Sequence, residues 1–207
     1  MTYRDLVKKL QTAMNAQGET LTVDGDPGPK TQAALSKFDV TIGLSKAPVV
    51  SPPVADAKSP IAWARTQLGQ KEISGSKDNP VIQEYHSHAR LGSSQHDEVP
   101  WCSSFLNAAA DATGMEKTND ASAISWKKYV GEDTGDQVEE GDVILLTPTV
   151  SGSTGHVTMA NKPFSRSKDK TFEGIGGNQS NSVCVATYPT SRIVVAKKWK
   201  PKAGATL

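Results

Sequence analysis

Apolar positions recur at helical spacing at the start of the chain. Tyr3, Leu6, Val7, Leu10 and Met14 mark one face of a helix that Gly18 stops. The stretch 23–28 is dense in turn residues. A second helix is expected over 29–38, with Ala34, Leu35 and Phe38 inward and a proline near its first turn, where a helix tolerates one. Pro48, Pro52, Pro53 and Pro60 then interrupt any period, so 45–60 reads as an extended, semi-rigid linker. Helical spacing returns over 61–68, 80–89 and 101–113, with Gly69 and Gly114 as stops. Beyond these the pattern changes to short apolar or alternating runs. Strands are expected over 142–146, 156–160, 171–175, 182–188 and 193–196. Helices first and antiparallel strands later predict an α+β fold, with no internal repeat. The organisation is a small helical unit over 1–44, a Pro-rich linker over 45–60 and a larger unit over 61–207.

The chain has 207 residues, enough for a medium domain with its own core plus a small one. Lys and Arg number 23 against 22 Asp and Glu, and this balance offers no electrostatic case for nucleic acid or an anionic membrane. Lys197, Lys198, Lys200 and Lys202 read as a solvated tail. No apolar run is long enough to cross a bilayer and no leader pattern opens the chain, so synthesis and residence in a cytoplasm are expected, without membrane insertion. Two cysteines make no disulfide framework. Cys184, in a strand-like Val-Cys-Val-Ala run, reads as a buried small hydrophobe.

The candidate chemistry centres on Cys102, in Pro-Trp-Cys-Ser-Ser-Phe at the head of a predicted helix, and on His156, which opens a predicted strand after the Gly- and Ser-rich stretch 151–155. A helix N-terminus or a neighbouring imidazolium lowers a thiol's pKa, and a histidine shuttles its proton. Asn178, in Gly-Gly-Asn-Gln, is placed to orient the ring, and the Cys102 amide is a natural oxyanion donor. A cysteine and a histidine alone fit better a small core residue and a satisfied core histidine, and it is their shared sequence context that favours the catalytic pair. His86, His88, His96 and Asp97 lack the tight spacing of a metal site and read as polar loop residues lining the cleft. Asp97 and Glu98, just upstream of Cys102, are placed to bind substrate or to play an ordinary loop role. Trp101 stands either for packing at the helix start or for substrate contact. The Asp24-Gly25-Asp26 run lacks the downstream ligands of a calcium loop.

From Ile61 to Trp199 four blocks, in order and spacing, resemble the CHAP class of cysteine, histidine-dependent amidohydrolases/peptidases, part of the papain-like group. They are Ala64-Arg65-Thr66-Gln67-Leu68-Gly69-Gln70-Lys71-Glu72 followed by Asn79-Pro80-Val81-Ile82-Gln83-Glu84-Tyr85; Val99-Pro100-Trp101-Cys102-Ser103-Ser104-Phe105; Gly141-Asp142-Val143 leading to Gly155-His156-Val157; and Gly176-Gly177-Asn178-Gln179-Ser180-Asn181. The phage and prophage members are the most similar. The resemblance implies Cys102 as nucleophile, His156 as base and Asn178 as orienter. Many members carry a glutamate two residues before that asparagine, where this chain has Gly176. The first unit resembles the peptidoglycan-binding domain of cell-wall hydrolases through Leu10-Gln11, 23–31 and 34–38. There Asp24 and Thr31 are candidate binding residues, or simply build the turn and cap the helix.

Taken together, the two resemblances imply a peptidoglycan hydrolase of the phage endolysin kind. It would be monomeric and need neither metal nor cofactor. It would cut an amide in the peptide part of murein, and would stay in the host cytoplasm until released to the wall. Trp101, Glu98 and Gln179 join Asp24 and Thr31 as candidate substrate contacts. The alternatives are a secreted interbacterial toxin of the same chemistry and a non-catalytic wall-binding or virion structural protein.

Overall fold

The computed structural model describes residues 3–25, 31, 34, 59–75, 77–91, 95–149 and 151–204. The expected helix over 29–38, apart from Thr31 and Ala34, and the expected linker, apart from Ser59 and Pro60, lie outside them. The chain divides into two compact units, Met1–Val50 and Ser51–Leu207, and this division falls within the stretch read as a linker.

In the first unit, helix α1 spans Tyr3–Asn15. Met14 is buried as its spacing predicts, but Leu10 is 38% exposed and Gln11 takes the inner position at 1%. The reason is polar. Gln11 Nε2 donates to Asp24 Oδ1 (2.9 Å) and to Thr31 Oγ1 (3.1 Å), while its Oε1 accepts the Gly25 N–H (2.9 Å). A buried amide whose partners are supplied costs little, and it holds the turn onto the helix. Asn15 does the same for the reversal after Gly18, exchanging two hydrogen bonds with the Leu21 backbone.

The second unit mixes helices with antiparallel sheet. Helices α2 (Pro60–Thr66) and α3 (Pro80–His88) each begin on proline, behind Ser59 and Asn79, whose side chains accept a first-turn N–H. Helix α4 (Cys102–Ala112) is buried from Cys102 to Ala110. The strands are β1 (Gln137–Val138), β2 (Val143–Leu146), β3 (His156–Ala160), β4 (Phe164–Ser165), β5 (Thr171–Gly176), β6 (Cys184–Pro189) and β7 (Ile193–Lys197). Five form an antiparallel sheet in the order β6-β5-β3-β2-β7, and β1 and β4 pair as a separate ribbon. The short β1–β4 ribbon and two 3₁₀ helices (Ala123–Lys128 and Thr190–Arg192) carry too few residues to show a period.

Burial on both sides explains the unbroken apolar run of β2. Val143 and Leu145 join the helix-side core with Trp63, Ile82, Phe105 and Leu106; Ile144 and Leu146 join a second cluster with Phe164 and Phe172. Two of the four C-terminal lysines have fixed partners rather than lying free in solvent. Lys198 Nζ donates to Glu139 Oε2 (2.7 Å), and Lys202 Nζ reaches Asp111 Oδ1 on α4 (2.8 Å).

Candidate active site

Cys102 is the first residue of α4. Its N-cap, Trp101, gives no side-chain cap to the helix, so first-turn amides stay available. The N–H groups of Val157, Ser103 and Cys102 itself face the sulfur and favour the thiolate. Burial works against them and wins, holding the thiol above its ordinary value of 9.0. The expected lowering is therefore reversed in the resting site: the helix end supplies donors, but desolvation is the larger effect. Both cysteines are free. Cys184 is half-buried rather than buried, and its Sγ donates to the Gln179 carbonyl (3.2 Å).

His156 opens β3, and its ring meets Gln179. Nε2 lies 3.2 Å from Gln179 Oε1, which also accepts the Thr158 hydroxyl (2.9 Å). Gln179 Nε2 donates to Gly174 O (3.1 Å) and Cys184 O (2.5 Å). Two carbonyls on the amide nitrogen settle which way the amide points. Its oxygen therefore faces the ring, His156 Nε2 must carry the proton, and Nδ1 is the free base. Burial lowers the imidazole below its ordinary 6.5, opposed by the Gln179 bond and aided by the charge of Arg192. Tyr188 packs beside the ring (centroids 5.6 Å apart), and burial raises its phenol above the ordinary value. The resting pair is thus a neutral thiol and a neutral, oriented imidazole.

Asn178 does not hold the ring. It adopts φ 57°, and in the orientation that satisfies its amide it donates to Glu72 Oε1 and accepts the Trp101 N–H, at 3.3 Å each. Glu72 also accepts Trp101 Nε1 (2.8 Å). Asn178 therefore ties the turn after β5 to Trp101, the residue that precedes Cys102. The glycines of this turn are forced by space. A Cβ on Gly177 would stand 2.5 Å from the Trp101 ring, and one on Gly176 2.9 Å from Thr158 Oγ1 and 3.1 Å from Gln179 Oε1. A glutamate at 176 has no room here, and the Gln179 carbonyl occupies that place beside the histidine.

Cys102, His156 and Asn178 line one cavity of about 490 Å³, with Pro100, Ala121 and Ala123. The other candidates stand elsewhere. Trp101 is fully buried against Tyr85 and Phe105, so it packs and offers no face to a substrate. Glu98 is exposed in the preceding turn and does not line the cavity. Asp24 and Thr31 spend side-chain oxygens on Gln11.

The residues expected to line the cleft also go to separate places. His86 is buried on α3 with Nδ1 3.1 Å from Ser104 Oγ; His88 Nδ1 pairs with Asp111 (2.8 Å); exposed His96 pairs with Asp78 (3.2 Å). Asp97, fully buried, accepts the Ile73 and Asn79 amides (2.8 and 2.7 Å) and so shapes the loop ahead of α3. Among the described residues no three His, Cys, Asp or Glu side chains gather as a metal site.

Three contributors were not singled out from sequence as ring partners: the Gln179 carbonyl, Thr158 and Tyr188. Two signals bear on them. Thr158 lies two residues after His156, on the same strand face, and Gly174 and Gly176 share one face of β5. Glycines at that spacing leave room for a neighbouring strand's side chain, here Thr158 (2.7 Å from a Cβ on Gly174). No protein-family model, no curated protein and no solved structure matches the chain.

Proposed function

We propose that the chain is a thiol amidohydrolase of the CHAP, papain-like kind, cutting an amide in the peptide part of murein and serving as a phage endolysin. The first unit would be its wall-binding module, which raises the effective concentration of the enzyme at an insoluble polymer. One observation carries the reading. A buried cysteine at a helix N-terminus and a histidine with a fixed tautomer share one cavity, and the histidine's free nitrogen is the one left to serve as base.

In this reading the neutral pair reacts in steps. Cys102 Sγ attacks the amide carbonyl carbon as its proton passes to His156 Nδ1. The oxyanion takes the Cys102 N–H. The C–N bond breaks, and the imidazolium gives its proton to the departing amine. Water, deprotonated by the same nitrogen, attacks the thioester and releases the acid and the free thiol. Gln179 Oε1 stabilises the imidazolium through Nε2–H without adding a charge. The buried resting state favours both partners neutral, and charge develops only in the tetrahedral intermediate, as the oxyanion and the imidazolium.

The test is mass spectrometry of fragments released from purified murein, with Cys102→Ala as control. New peptide termini produced by wild type alone support the reading. Release that persists in Cys102→Ala sinks the thiol mechanism.

A further inference from the structure

Arg192 is linked to the proposed base by two ring contacts. The Tyr188 ring lies 5.6 Å from the imidazole, centroid to centroid, and the Arg192 guanidinium sits over the same tyrosine ring, its Cζ 5.6 Å from the centroid. Local structure sets both contacts. Tyr188 pairs with Phe172 across β6 and β5, and the glycine at 174 leaves its ring room: a Cβ there would stand 3.2 Å from Tyr188 Cε2. Arg192 follows four residues later, at the end of the 3₁₀ turn Thr190–Arg192. It is held through both its backbone and its side chain. Its carbonyl accepts the Thr147 N–H (2.8 Å), and its Nη2 donates to Thr147 O (2.8 Å). Thr147 follows Leu146, the residue of β2 that pairs with His156. The arginine is thus anchored one residue from the strand pair that carries the base.

An arginine fixed in this way ordinarily serves an acid. Among the described residues Arg192 forms no ion pair, and its Nε is buried without a hydrogen-bond partner. The groups around the imidazole do not cancel its charge either. Gln179 and Thr158 are neutral, and Cys184 Sγ is committed to the Gln179 carbonyl. Burial raises the Tyr188 phenol and the Cys102 thiol above their ordinary values, which favours their neutral forms. Packing on Tyr188 alone does not require a charge at 192. A cation left unbalanced near a base disfavours that base's protonated form, and this is the direction in which Arg192 acts on the ring.

We infer that Arg192 is a positioning residue for the base: it clamps Tyr188 against the His156 ring and keeps an unbalanced positive charge near it. The inference rests on the amidohydrolase reading, in which His156 takes the thiol proton. Arg192 does not line the reaction cavity and touches no reacting atom. Its part complements that of Gln179. Gln179 orients the ring and eases the imidazolium once it forms. Arg192 keeps the ring from taking a proton out of solvent, and a less basic imidazole gives its proton more readily to the departing amine.

The experiment follows the His156 imidazole by NMR against pH in the full-length protein, with His156→Gln to identify its signal. Wild type, Arg192→Gln and Arg192→Lys are compared, and circular dichroism checks each fold. The two contacts put the guanidinium within about 11 Å of the ring, where one charge, at an effective dielectric of about 20 and ordinary salt, moves a titration midpoint by about half a pH unit. The expected result is a midpoint raised by that amount in Arg192→Gln, by more in low salt, and unmoved in Arg192→Lys, which keeps the charge. The acid limb of murein cleavage should rise with it. A midpoint unmoved by Arg192→Gln, or moved as far by Arg192→Lys, overturns the inference. Cleavage by the same proteins separates the two ideas. Cys102-dependent cleavage with an unmoved midpoint retains the enzyme and discards the role of Arg192, whereas a charge-dependent midpoint without cleavage keeps the charge effect on the ring and discards the enzyme.

Discussion

Replacing Gln179 by leucine is the sharpest perturbation of the proposed mechanism. Leucine keeps the bulk and removes both ends of the amide. The His156 Nε2–H loses its acceptor, and so does the Thr158 hydroxyl; Gly174 O and Cys184 O lose their donor. A hydrogen bond to a group that becomes charged contributes about 1.5–3 kcal/mol, so losing it as the imidazolium forms slows turnover by about 10- to 150-fold. Stranding the other three buried groups costs about 1 kcal/mol each, roughly 3 kcal/mol of stability, so the assay belongs at a temperature where circular dichroism shows the variant folded. Asn178→Ala removes the Glu72 and Trp101 hydrogen bonds but leaves the His156–Gln179 bond intact, and turnover should fall by less than about threefold. The readout is the rate of soluble fragment release from labelled murein at saturating substrate. A folded Gln179→Leu protein turning over within threefold of wild type refutes the assignment, as does an Asn178→Ala protein that falls as far.

Other outcomes follow from the same geometry. The reacting form is a neutral thiol with a neutral imidazole. Activity should therefore hold as pH falls to below 6.5, where an ordinary imidazole charges, and persist above 9.0, where an ordinary thiol ionises; a narrow bell inside those limits contradicts the buried pair. His156 and His86 are both lowered by burial, so the unfolded chain binds their protons first, and stability measured by denaturant should fall as pH drops through 6.5. Asp111 is raised by burial but pulled down to about 2 by Lys117, Lys202 and His88, so its contribution is present above pH 3.8 and lost as pH falls toward 2. Asp111→Asn should cost about 1 kcal/mol at neutral pH after allowance for solvent screening, read as a shift in urea midpoint, and the cost should fade as pH falls through about 2. Gly177→Ala drives a methyl to within 2.5 Å of the Trp101 ring and should cost about 1–3 kcal/mol or more in thermal denaturation; an unchanged midpoint means that the turn does not cross Trp101 as described.

Much of the second unit was legible because its elements are periodic and punctuated. The spacing placed α3, α4 and five of the strands within a residue or two, since Pro80 starts α3, Gly114 follows α4, and β2 and β3 carry unambiguous apolar runs. Gln11 shows where pattern reading fails: polarity argued for the surface, but three hydrogen bonds satisfy the amide inside, and Leu10 turns outward. At the site, Cys102 and His156 stood out by their local context. Choosing between Asn178 and Gln179 needed three dimensions, because adjacent residues in a left-handed turn point apart and only one reaches the ring. The thiol's direction was misread for a similar reason. A helix N-terminus is visible in sequence, whereas burial that outweighs it is a property of packing.

The central claim is that Cys102 Sγ forms a thioester with a murein peptide. The direct measurement is intact-protein mass after brief incubation with soluble muropeptide and acid quench, followed by digestion to locate the adduct. The account predicts an acyl group on Cys102, present in wild type, enriched when Gln179→Leu slows its hydrolysis, and absent from Cys102→Ala. An adduct on Cys184, or fragment release by Cys102→Ala with no adduct at all, would contradict it.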